Sequence, residues 1–268
     1  MATERVFITG GAGGFGLALA TRFAKDGAHV CISDVRDHLR DEALAQINAA
    51  GAASSHYLTV DVRSESQMKA AADWVVENWG GVDVVINNAG VAISGPIHEC
   101  SEEDWQWIVD INLHGVARGC RVFTPILLAQ KSGHIVNIAS MAGLIHPPLM
   151  SAYNATKAAV VALSETMFFE LQPHGIHVSV VCPSFFKTGI ADAARTSNPE
   201  VHRTTSKLVN KSRFTAEAIA NLTVEGVRRK RFYVLTHTDG KAAFALKRTL
   251  PFRQYAALIA NRTRAMTR

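Results

Sequence analysis

Tyr153 and Lys157 stand four residues apart in the stretch YNATK, within residues 151–172, where the spacing of apolar side chains predicts a helix. Residues four apart lie on the same face of a helix, one turn from each other. A tyrosine has an ordinary pKa of about 10, too high for a general base at neutral pH, but a neighbouring ammonium group favours the phenolate and lowers this pKa. The pair therefore predicts a proton-transfer site. The alternative is a surface tyrosine beside a surface lysine.

Ser140 ends the apolar run GHIVNIAS, which predicts a buried strand shortly before the YNATK helix. Its hydroxyl could hydrogen-bond the same substrate oxygen that exchanges a proton with Tyr153. Taking a proton from an alcohol, or supplying one to a ketone, accompanies hydride transfer to or from a nicotinamide. Ser140 and Tyr153 are therefore predicted to contact the substrate, with a cap on the strand end as the alternative role for the serine.

A glycine-rich turn, TGGAGGFG at residues 9–16, separates the apolar run RVFITG from a segment with helical spacing. Glycines in this position allow a tight turn, let the backbone approach a pyrophosphate closely and direct a helix N-terminus at its charge. The turn therefore predicts a dinucleotide site. Its predicted cofactor contacts are Gly10, Gly14, Phe15 and Gly16.

Acidic residues end the second and third predicted strands. Asp34 can accept hydrogen bonds from the adenosine ribose and would repel a 2′-phosphate, which favours NAD over NADP. Arg36, two residues later, could instead accommodate that phosphate. Asp61 and Val62 follow the third strand, where we expect a contact with the adenine. The alternative for Asp61 is a turn-forming role.

The predicted strands are continuous apolar runs that alternate with helical segments. Continuous apolar strands are typical of parallel sheets covered on both faces, and the alternation is typical of doubly wound α/β domains. We therefore predict a Rossmann-type parallel sheet in a single dinucleotide-binding domain, residues 1–237. Residues 238–268 are predicted to form a basic helical extension.

The net charge of +5 is concentrated in this extension, which has seven basic residues and one acid. The charge of the main domain gives no support for nucleic-acid binding. The four cysteines are scattered without a CxxC pair, and no His, Cys and acid cluster has metal-ligand spacing, so we expect neither a disulfide framework nor a metal. No apolar run is long enough to span a bilayer and no signal-peptide pattern opens the chain, which predicts a cytoplasmic protein.

Several motifs, in this order and spacing, resemble those of the short-chain dehydrogenase/reductase family. They are TGGAGGFG, NNAG at residues 87–90, Asn112 in INLHG, Ser140 in NIASMAG, and YNATK, and they cover residues 1 to about 235. The resemblance implies an NAD(P)-dependent oxidoreductase that interconverts an alcohol and a ketone, in a homodimer or homotetramer. It assigns catalytic roles to Asn112, Ser140, Tyr153 and Lys157.

The same resemblance implies further contacts. Lys157 would bond the nicotinamide ribose, and Asn112 would anchor a water molecule in a proton relay, unless it only bridges a helix kink. Pro183 and Thr188, in PSFFKT, match the segment that contacts the nicotinamide carboxamide, although Ser184 stands where the family usually has glycine. The cofactor contacts implied by the NNAG motif are Asn88, Ala89 and Gly90.

Three segments outside these motifs bear on the substrate. His146, in GLIHPPLM, lies where family members line the substrate pocket, which predicts a polar contact in a largely apolar pocket; the alternative is an ordinary loop histidine. Residues 189–213 are polar and irregular, and the resemblance makes them a substrate lid. After Pro251 apolar residues recur at helical spacing. They predict a helix packed on a neighbouring subunit or over the active site, with a membrane-surface helix or a frayed basic end as alternatives.

The leading function hypothesis is an NAD(H)-preferring dehydrogenase/reductase acting on an apolar small-molecule alcohol or ketone. Two alternatives stay open: a dinucleotide-binding sensor or scaffold without turnover, and an epimerase or dehydratase on the same scaffold. The set of Ser140, Tyr153 and Lys157 argues against the sensor, because a protein that only binds a dinucleotide needs no acid–base group.

Overall fold

The computed structural model describes residues 3–188, 190, 194–196, 203 and 212–263. Most of the predicted lid, residues 189–213, therefore lies outside the described residues. The last five residues of the basic extension do so as well.

Seven strands form one parallel sheet, in the spatial order β3-β2-β1-β4-β6-β7-β9. The remaining two strands, β5 and β8, pair in parallel beside it. The strands are β1 (Arg5–Thr9), β2 (His29–Asp34), β3 (Ser54–Thr59), β4 (Val84–Asn87), β5 (Ile93–Ser94), β6 (Gly133–Ile138), β7 (Ile176–Val181), β8 (Arg195–Thr196) and β9 (Tyr233–Val234).

Helices connect the strands and cover both faces of the sheet. They are α1 (Gly14–Ala24), α2 (Arg40–Ala49), α3 (Glu65–Trp79), α4 (Glu102–Val109), α5 (Val116–Gln130), α6 (Ala142–Ile145), α7 (Ser151–Leu171), α8 (Ala216–Arg228), α9 (Thr238–Thr249) and α10 (Phe252–Thr263). The hydroxyls of Ser64 and Thr215 cap α3 and α8 by accepting hydrogen bonds from backbone N–H groups in the first turn.

Successive side chains of a strand point to opposite faces of the sheet, and here both faces are buried. In β1, Val6 and Ile8 pack into a core with residues of α1, α2 and α8. Phe7 lies between them in sequence and packs into the opposite core, where its ring centroid is 4.6 Å from that of Phe123 on α5. Two cores on one parallel sheet explain the continuous apolar runs and confirm the doubly wound fold.

The strand order reverses at β1. From β1 the chain continues to β2 and β3 on one side, and it later returns to place β4 on the other side. In open α/β sheets the crevice beyond the carboxyl ends of the strands, at this switch point, is the usual ligand site. Residues that directly follow β1, β4, β6 and β7 therefore meet at one edge.

The C-terminal extension forms helices α9 and α10, and both contact α6, next to Ser140. The described part of the tail thus packs beside the candidate active site, which is one of the two predicted packing positions; packing on a neighbouring subunit stays a prediction. The position of a boundary at residue 237 stays a prediction. None of the helices in the described ranges is long and apolar enough to cross a membrane.

Candidate active site

Helix α7 carries Tyr153 and Lys157 into the interior of the protein. Their exposed fractions are 9% and 3%, which rules out the surface pair. The Lys157 Nζ donates a hydrogen bond to the Ile138 carbonyl oxygen at 2.9 Å and lies 5.9 Å from the centroid of the Tyr153 ring. The end of β6 thus fixes the ammonium group beside the tyrosine.

Burial dominates the electrostatics of this pair. It raises the pKa of Tyr153, and a hydrogen bond with Ser140 lowers that pKa only in part. Burial also lowers the pKa of Lys157 to about 8. The expectation that Lys157 brings the tyrosine pKa down is therefore wrong for the chain alone, because desolvation penalises the phenolate and the ammonium together. At neutral pH Tyr153 holds its proton.

Ser140 lies two residues after β6, and its hydroxyl takes part in two hydrogen bonds with the backbone. Its Oγ accepts a hydrogen bond from the Ala142 N–H at 3.1 Å and donates to the Pro183 carbonyl oxygen at 3.5 Å. The capping role is thus confirmed. The same hydroxyl also lowers the pKa of Tyr153 in part, so Ser140 lies between the start of α6 and the tyrosine.

Asn112 lies in a π-helical turn, Asp110–Gly115, that joins α4 to α5, and it is fully buried. Its Oδ1 accepts from the Val91 N–H at 2.8 Å, and its Nδ2 donates to the Val91 carbonyl at 2.9 Å. A Cβ added to Gly90 would lie 3.3 Å from Asn112 Oδ1 and 3.4 Å from Lys157 Nζ. Asn112 therefore holds the NNAG segment against Lys157. Its predicted role in a water relay stays a prediction.

The glycine-rich turn leaves little space for side chains at the carboxyl end of β1. Gly10 has a positive φ of 65°, and a Cβ on Gly16 would overlap the Gly10 carbonyl oxygen. Helix α1 begins at Gly14, and its N-cap, Gly13, supplies no side-chain partner to the N–H groups of the first turn. Free N–H groups at a helix start, reachable through bare glycine backbone, fit a pyrophosphate.

Two neighbours brace this turn. The Asn88 Nδ2 donates to the carbonyl oxygens of Thr9 and Gly10, and the Ala89 N–H donates to the Thr9 hydroxyl. Phe15 is buried, and its ring meets that of Phe186 edge-on at 5.1 Å. The glycine-rich turn is thereby held against the NNAG motif and the PSFFKT segment.

Asp34 ends β2 with its carboxylate fully engaged. It accepts from the Ala12 N–H at 3.1 Å and forms a bidentate ion pair with Arg36 at 3.0 and 2.9 Å. Burial by itself would raise the pKa of Asp34, but the hydrogen bonds from Arg36 hold it below its usual value. An acid and an arginine thus stand together where the adenosine ribose is predicted.

Asp61 and Val62 follow β3. The Asp61 carboxylate accepts hydrogen bonds from the backbone N–H, Nε and Nη2 of Arg63, and this pairing lowers its pKa. The turn-forming role of Asp61 is thus present. Val62 is buried, and a Cβ on Gly115 would lie 2.8 Å from its Cγ2. The contact of these residues with an adenine stays a prediction.

The PSFFKT segment is held by partners that the sequence analysis missed. Pro183 accepts a backbone hydrogen bond from Met141, and the Ser184 N–H donates to His237 Nδ1 at 3.2 Å. Thr188 lies half-buried at the end of the segment. His237 directly precedes α9, and no motif marks it. Only its contact across 53 positions of sequence reveals it.

His146 has both ring nitrogens engaged within the protein. Its Nε2 lies 3.2 Å from the Gly143 carbonyl oxygen, and its Nδ1 lies 2.7 Å from Lys247 Nζ. Burial lowers the pKa of this imidazole, and the Lys247 charge lowers it further. A substrate contact through His146 stays a prediction, and the structure gives both nitrogens another use.

The residues around the switch point fit a dinucleotide. The glycine turn offers backbone N–H groups, Asp34 and Arg36 flank the predicted ribose position, and Lys157 has donor protons beyond the one given to Ile138. Within the described ranges no group of three or more His, Cys, Asp or Glu side chains could hold a metal ion.

Comparisons with known proteins agree with this site. A family model for the short chain dehydrogenases matches residues 4–199. A Cα-dehydrogenase of a Sphingobium species is 31% identical over 87% of this chain and 80% of its own length. A cyclopentanol dehydrogenase of a Comamonas species is 36% identical over 68% of this chain and 73% of its own length.

A solved structure is also similar. It is a short chain dehydrogenase/reductase from Burkholderia phymatum in complex with NAD, with a TM-score of 0.86 and 38% identity, covering 91% of this chain and 92% of that one. The chain belongs to the short-chain dehydrogenase/reductase family. It is an oxidoreductase that acts on CH–OH groups with a nicotinamide dinucleotide as cofactor.

Proposed function

We propose that this enzyme prefers NAD(H) and interconverts an apolar secondary alcohol and its ketone. The observation that carries the proposal is the buried Tyr153, whose pKa the nearby Ser140 hydroxyl influences and whose ring centroid lies 5.9 Å from Lys157 Nζ, at the sheet edge that also holds the glycine turn. An acid–base group in this position is useful for proton transfer at a carbon that gains or loses a hydride.

In the proposed reaction Tyr153 exchanges a proton with the substrate oxygen. Ser140 donates a hydrogen bond to that oxygen and so places it within reach of the tyrosine hydroxyl. Lys157 bonds the nicotinamide ribose and supplies the positive charge that favours the phenolate while the proton is away. A nicotinamide held at this edge would supply the hydride chemistry. Asn112, through Val91 and Gly90, keeps the site open beside Lys157 and anchors a relay water.

The cofactor preference rests on Asp34. Its carboxylate ends β2 with four donors, two of them from the Arg36 guanidinium. While Arg36 is paired in this way, its guanidinium donates to Asp34 and is less available to bind a 2′-phosphate. Ribose hydroxyls would replace some of these donors, and the carboxylate would repel a 2′-phosphate, so this arrangement supports NAD over NADP.

The surroundings of Tyr153 support an apolar substrate. Its neighbours in a third hydrophobic cluster are small or apolar, and most come from the segments next to the site. The fully or nearly buried members of this cluster are Ala92, Ile93, Ile108, Ala142, Met150 and Ala152. An apolar group attached to the carbinol carbon would be desolvated against such a surface.

The Tyr153→Phe substitution tests the proposal. We expect oxidation of a panel of secondary alcohols, followed by NADH absorbance, to fall by about 10²–10⁴-fold because the acid–base group is lost. NADH and NADPH titrations into the wild-type protein should show tighter NADH binding, and the variant should bind NADH as wild type does. A variant that kept its turnover would contradict the mechanism, and a wild type that bound NADH but converted no alcohol or ketone would favour a dinucleotide sensor.

A further inference from the structure

The two C-terminal helices hold the end of α6, the short helix that follows Ser140. Lys247 of α9 donates from Nζ to the Leu144 carbonyl oxygen at 2.6 Å. Tyr255 of α10 is 5% exposed and donates from Oη to the Ile145 carbonyl oxygen at 2.7 Å. The last carbonyls of a helix have no partner within it, and a cation at this end also meets the negative pole of the helix dipole.

Lys247 also holds the residue that follows α6. Its ammonium can only donate, so His146 Nδ1 accepts that hydrogen bond, and the imidazole proton is on Nε2, which donates to Gly143. His146 has a φ of 51°, and Leu149, three residues later, has a φ of 61°. A non-glycine residue in this region is strained and persists only where its surroundings hold it there.

The segment held in this way is part of the active site. The Ala142 N–H at the start of α6 donates to Ser140 Oγ. A Cβ on Gly143 would lie 2.6 Å from the backbone of Lys157, so α6 packs closely on α7 at the catalytic lysine. At the far end of the loop, Met150 packs in the same apolar cluster as Tyr153. A shift of α6 would therefore move the apolar surface beside the tyrosine.

We propose that Lys247 and Tyr255 are positioning residues that determine substrate specificity, because they hold residues 144–150 in the shape that receives the apolar group of the substrate. The inference rests on the proposed alcohol and ketone chemistry. Neither Lys247 nor Tyr255 contacts the glycine-rich turn or Asp34 in the described structure, so cofactor binding does not depend on these two side chains. The opposing view is that the tail helices only stabilise the fold.

The test is a double variant, Lys247→Met with Tyr255→Phe, which removes both donors and keeps most of the apolar volume. Lys241→Met is the matched control, because Lys241 is an exposed lysine on the same helix. Oxidation of cyclopentanol and of 2-octanol is measured at saturating NAD. We expect the KM of the double variant to rise about tenfold, in line with the loss of hydrogen bonds to a charged group, and its selectivity between the two alcohols to shrink.

The other parameters separate positioning from stability. We expect the kcat and the NADH dissociation constant of the double variant to stay within about twofold of wild type. With Lys247→Arg in place of Lys247→Met, the KM should return most of the way to the wild-type value, because arginine keeps donor protons at this point. An unchanged KM and selectivity would overturn the proposal. Proportional losses in KM, kcat, NADH affinity and melting temperature would also overturn it, because they would indicate general destabilisation.

Amide hydrogen exchange reports on the same contacts without turnover. The Leu144 and Ile145 N–H groups donate to the Met141 carbonyl within α6. We expect these amides to exchange about tenfold faster in the double variant and at the wild-type rate in Lys241→Met. If the wild type oxidises neither alcohol, the proposed function fails on its own, and the exchange rates still decide the positioning role: unchanged exchange would overturn it.

Discussion

At the scale of single residues, the most consequential feature of the site is that its two ionisable groups are desolvated together. Tyr153 and Lys157 are both buried on α7, and the only carbonyl partner of the lysine in the described structure is that of Ile138. Each group therefore resists its charged form. A bound ligand that accepts hydrogen bonds from the ammonium would offset part of this cost, so ligand binding and protonation should be linked.

Lys157 allows a direct measurement of this linkage. Its pKa is lowered to about 8 in the chain alone, so a large share of the side chain is neutral between pH 8 and about 9. If NADH binding favours the ammonium form of Lys157, the protein should take up between about half a proton and one proton per NADH bound in that pH range. Calorimetric titration in two buffers of different ionisation enthalpy measures the uptake.

The variant Lys157→Met provides the control for the uptake. It cannot titrate, so its proton uptake on binding NADH should be close to zero whatever its affinity. Equal uptake in the variant and the wild type would assign the effect to another group. An absence of uptake in the wild type would mean that Lys157 does not bond the cofactor as its ammonium form.

At the scale of elements, the turn between β1 and α1 depends on the absence of a side chain at Gly16. A Cβ there would overlap the Gly10 carbonyl and approach Asn88 Nδ2 to 2.6 Å. We expect Gly16→Ala to cost about 1–3 kcal/mol in unfolding free energy and to weaken NADH binding by about tenfold or more, because the turn must open. Denaturant unfolding and fluorescence titration measure the two effects.

Gly27 supplies a matched control for this substitution. Unlike Gly16 it has a positive φ, 77°, and a Cβ there would meet open space. Gly27→Ala should therefore show a backbone cost of about 1 kcal/mol and leave NADH affinity unchanged. Equal NADH affinities for the Gly16 and Gly27 variants would contradict a pyrophosphate position at this turn.

Strand β6 contains a second group whose charge is suppressed. The His134 Nε2 lies 2.7 Å from Ser179 Oγ, which donates to the Arg231 carbonyl, so the imidazole donates to the serine. Burial, with smaller contributions from the nearby His177 and Lys230, lowers the pKa of His134 to about 3. The central sheet therefore contains a neutral histidine that the unfolded chain would protonate.

The sign of the pH dependence follows from this shift. The unfolded chain takes up the proton near pH 6.5, whereas the folded chain takes it up only near pH 3. The contribution of His134 to the free energy of unfolding is therefore complete above about pH 6.5. It is lost as the pH falls from there to about 3, by up to about 5 kcal/mol. Denaturant unfolding at pH 7 and at pH 5 measures the slope. His134→Gln should make that slope shallower; an unchanged slope would assign the acid sensitivity to other groups.

At the scale of the whole molecule, we expect a homodimer or homotetramer. Phe169, on the helix that carries Tyr153, is 73% exposed, and Leu128 on α5 is 37% exposed. Large exposed apolar side chains on neighbouring helices are typical of surfaces that a second copy covers. Light scattering should give a mass of two or four times the 29.0 kDa of the chain.

A charge at this surface tests the assembly. Phe169→Glu should shift the mass toward that of the monomer, because a carboxylate would have to be desolvated in the interface. Leu222→Glu is the control, since Leu222 is 40% exposed on α8, which packs into the core on the opposite face of the sheet. A wild-type mass of 29.0 kDa would show the expectation to be wrong.

Much of the fold and of the site could be predicted from local patterns. The parallel sheet follows from apolar runs alternating with helical segments, and the helix caps at Ser64 and Thr215 follow from side chains that bond the backbone three residues away. The segment from Ser101 to Gln130 is harder to predict from such patterns, because it contains a π turn that places Asn112. Single-residue spacing does not signal such a turn.

The sequence by itself determined the class of the protein, because chemistry at this site depends on residue types at short spacings: the glycine turn, the acid after β2, and a tyrosine and lysine one helical turn apart. Only the tertiary structure decided the electrostatics and the supports of the site. Burial, which raises the pKa of Tyr153, depends on the whole domain. The contacts of His237 with Ser184 and of Lys247 with Leu144 join residues 53 and 103 positions apart, and only the folded chain brings them together.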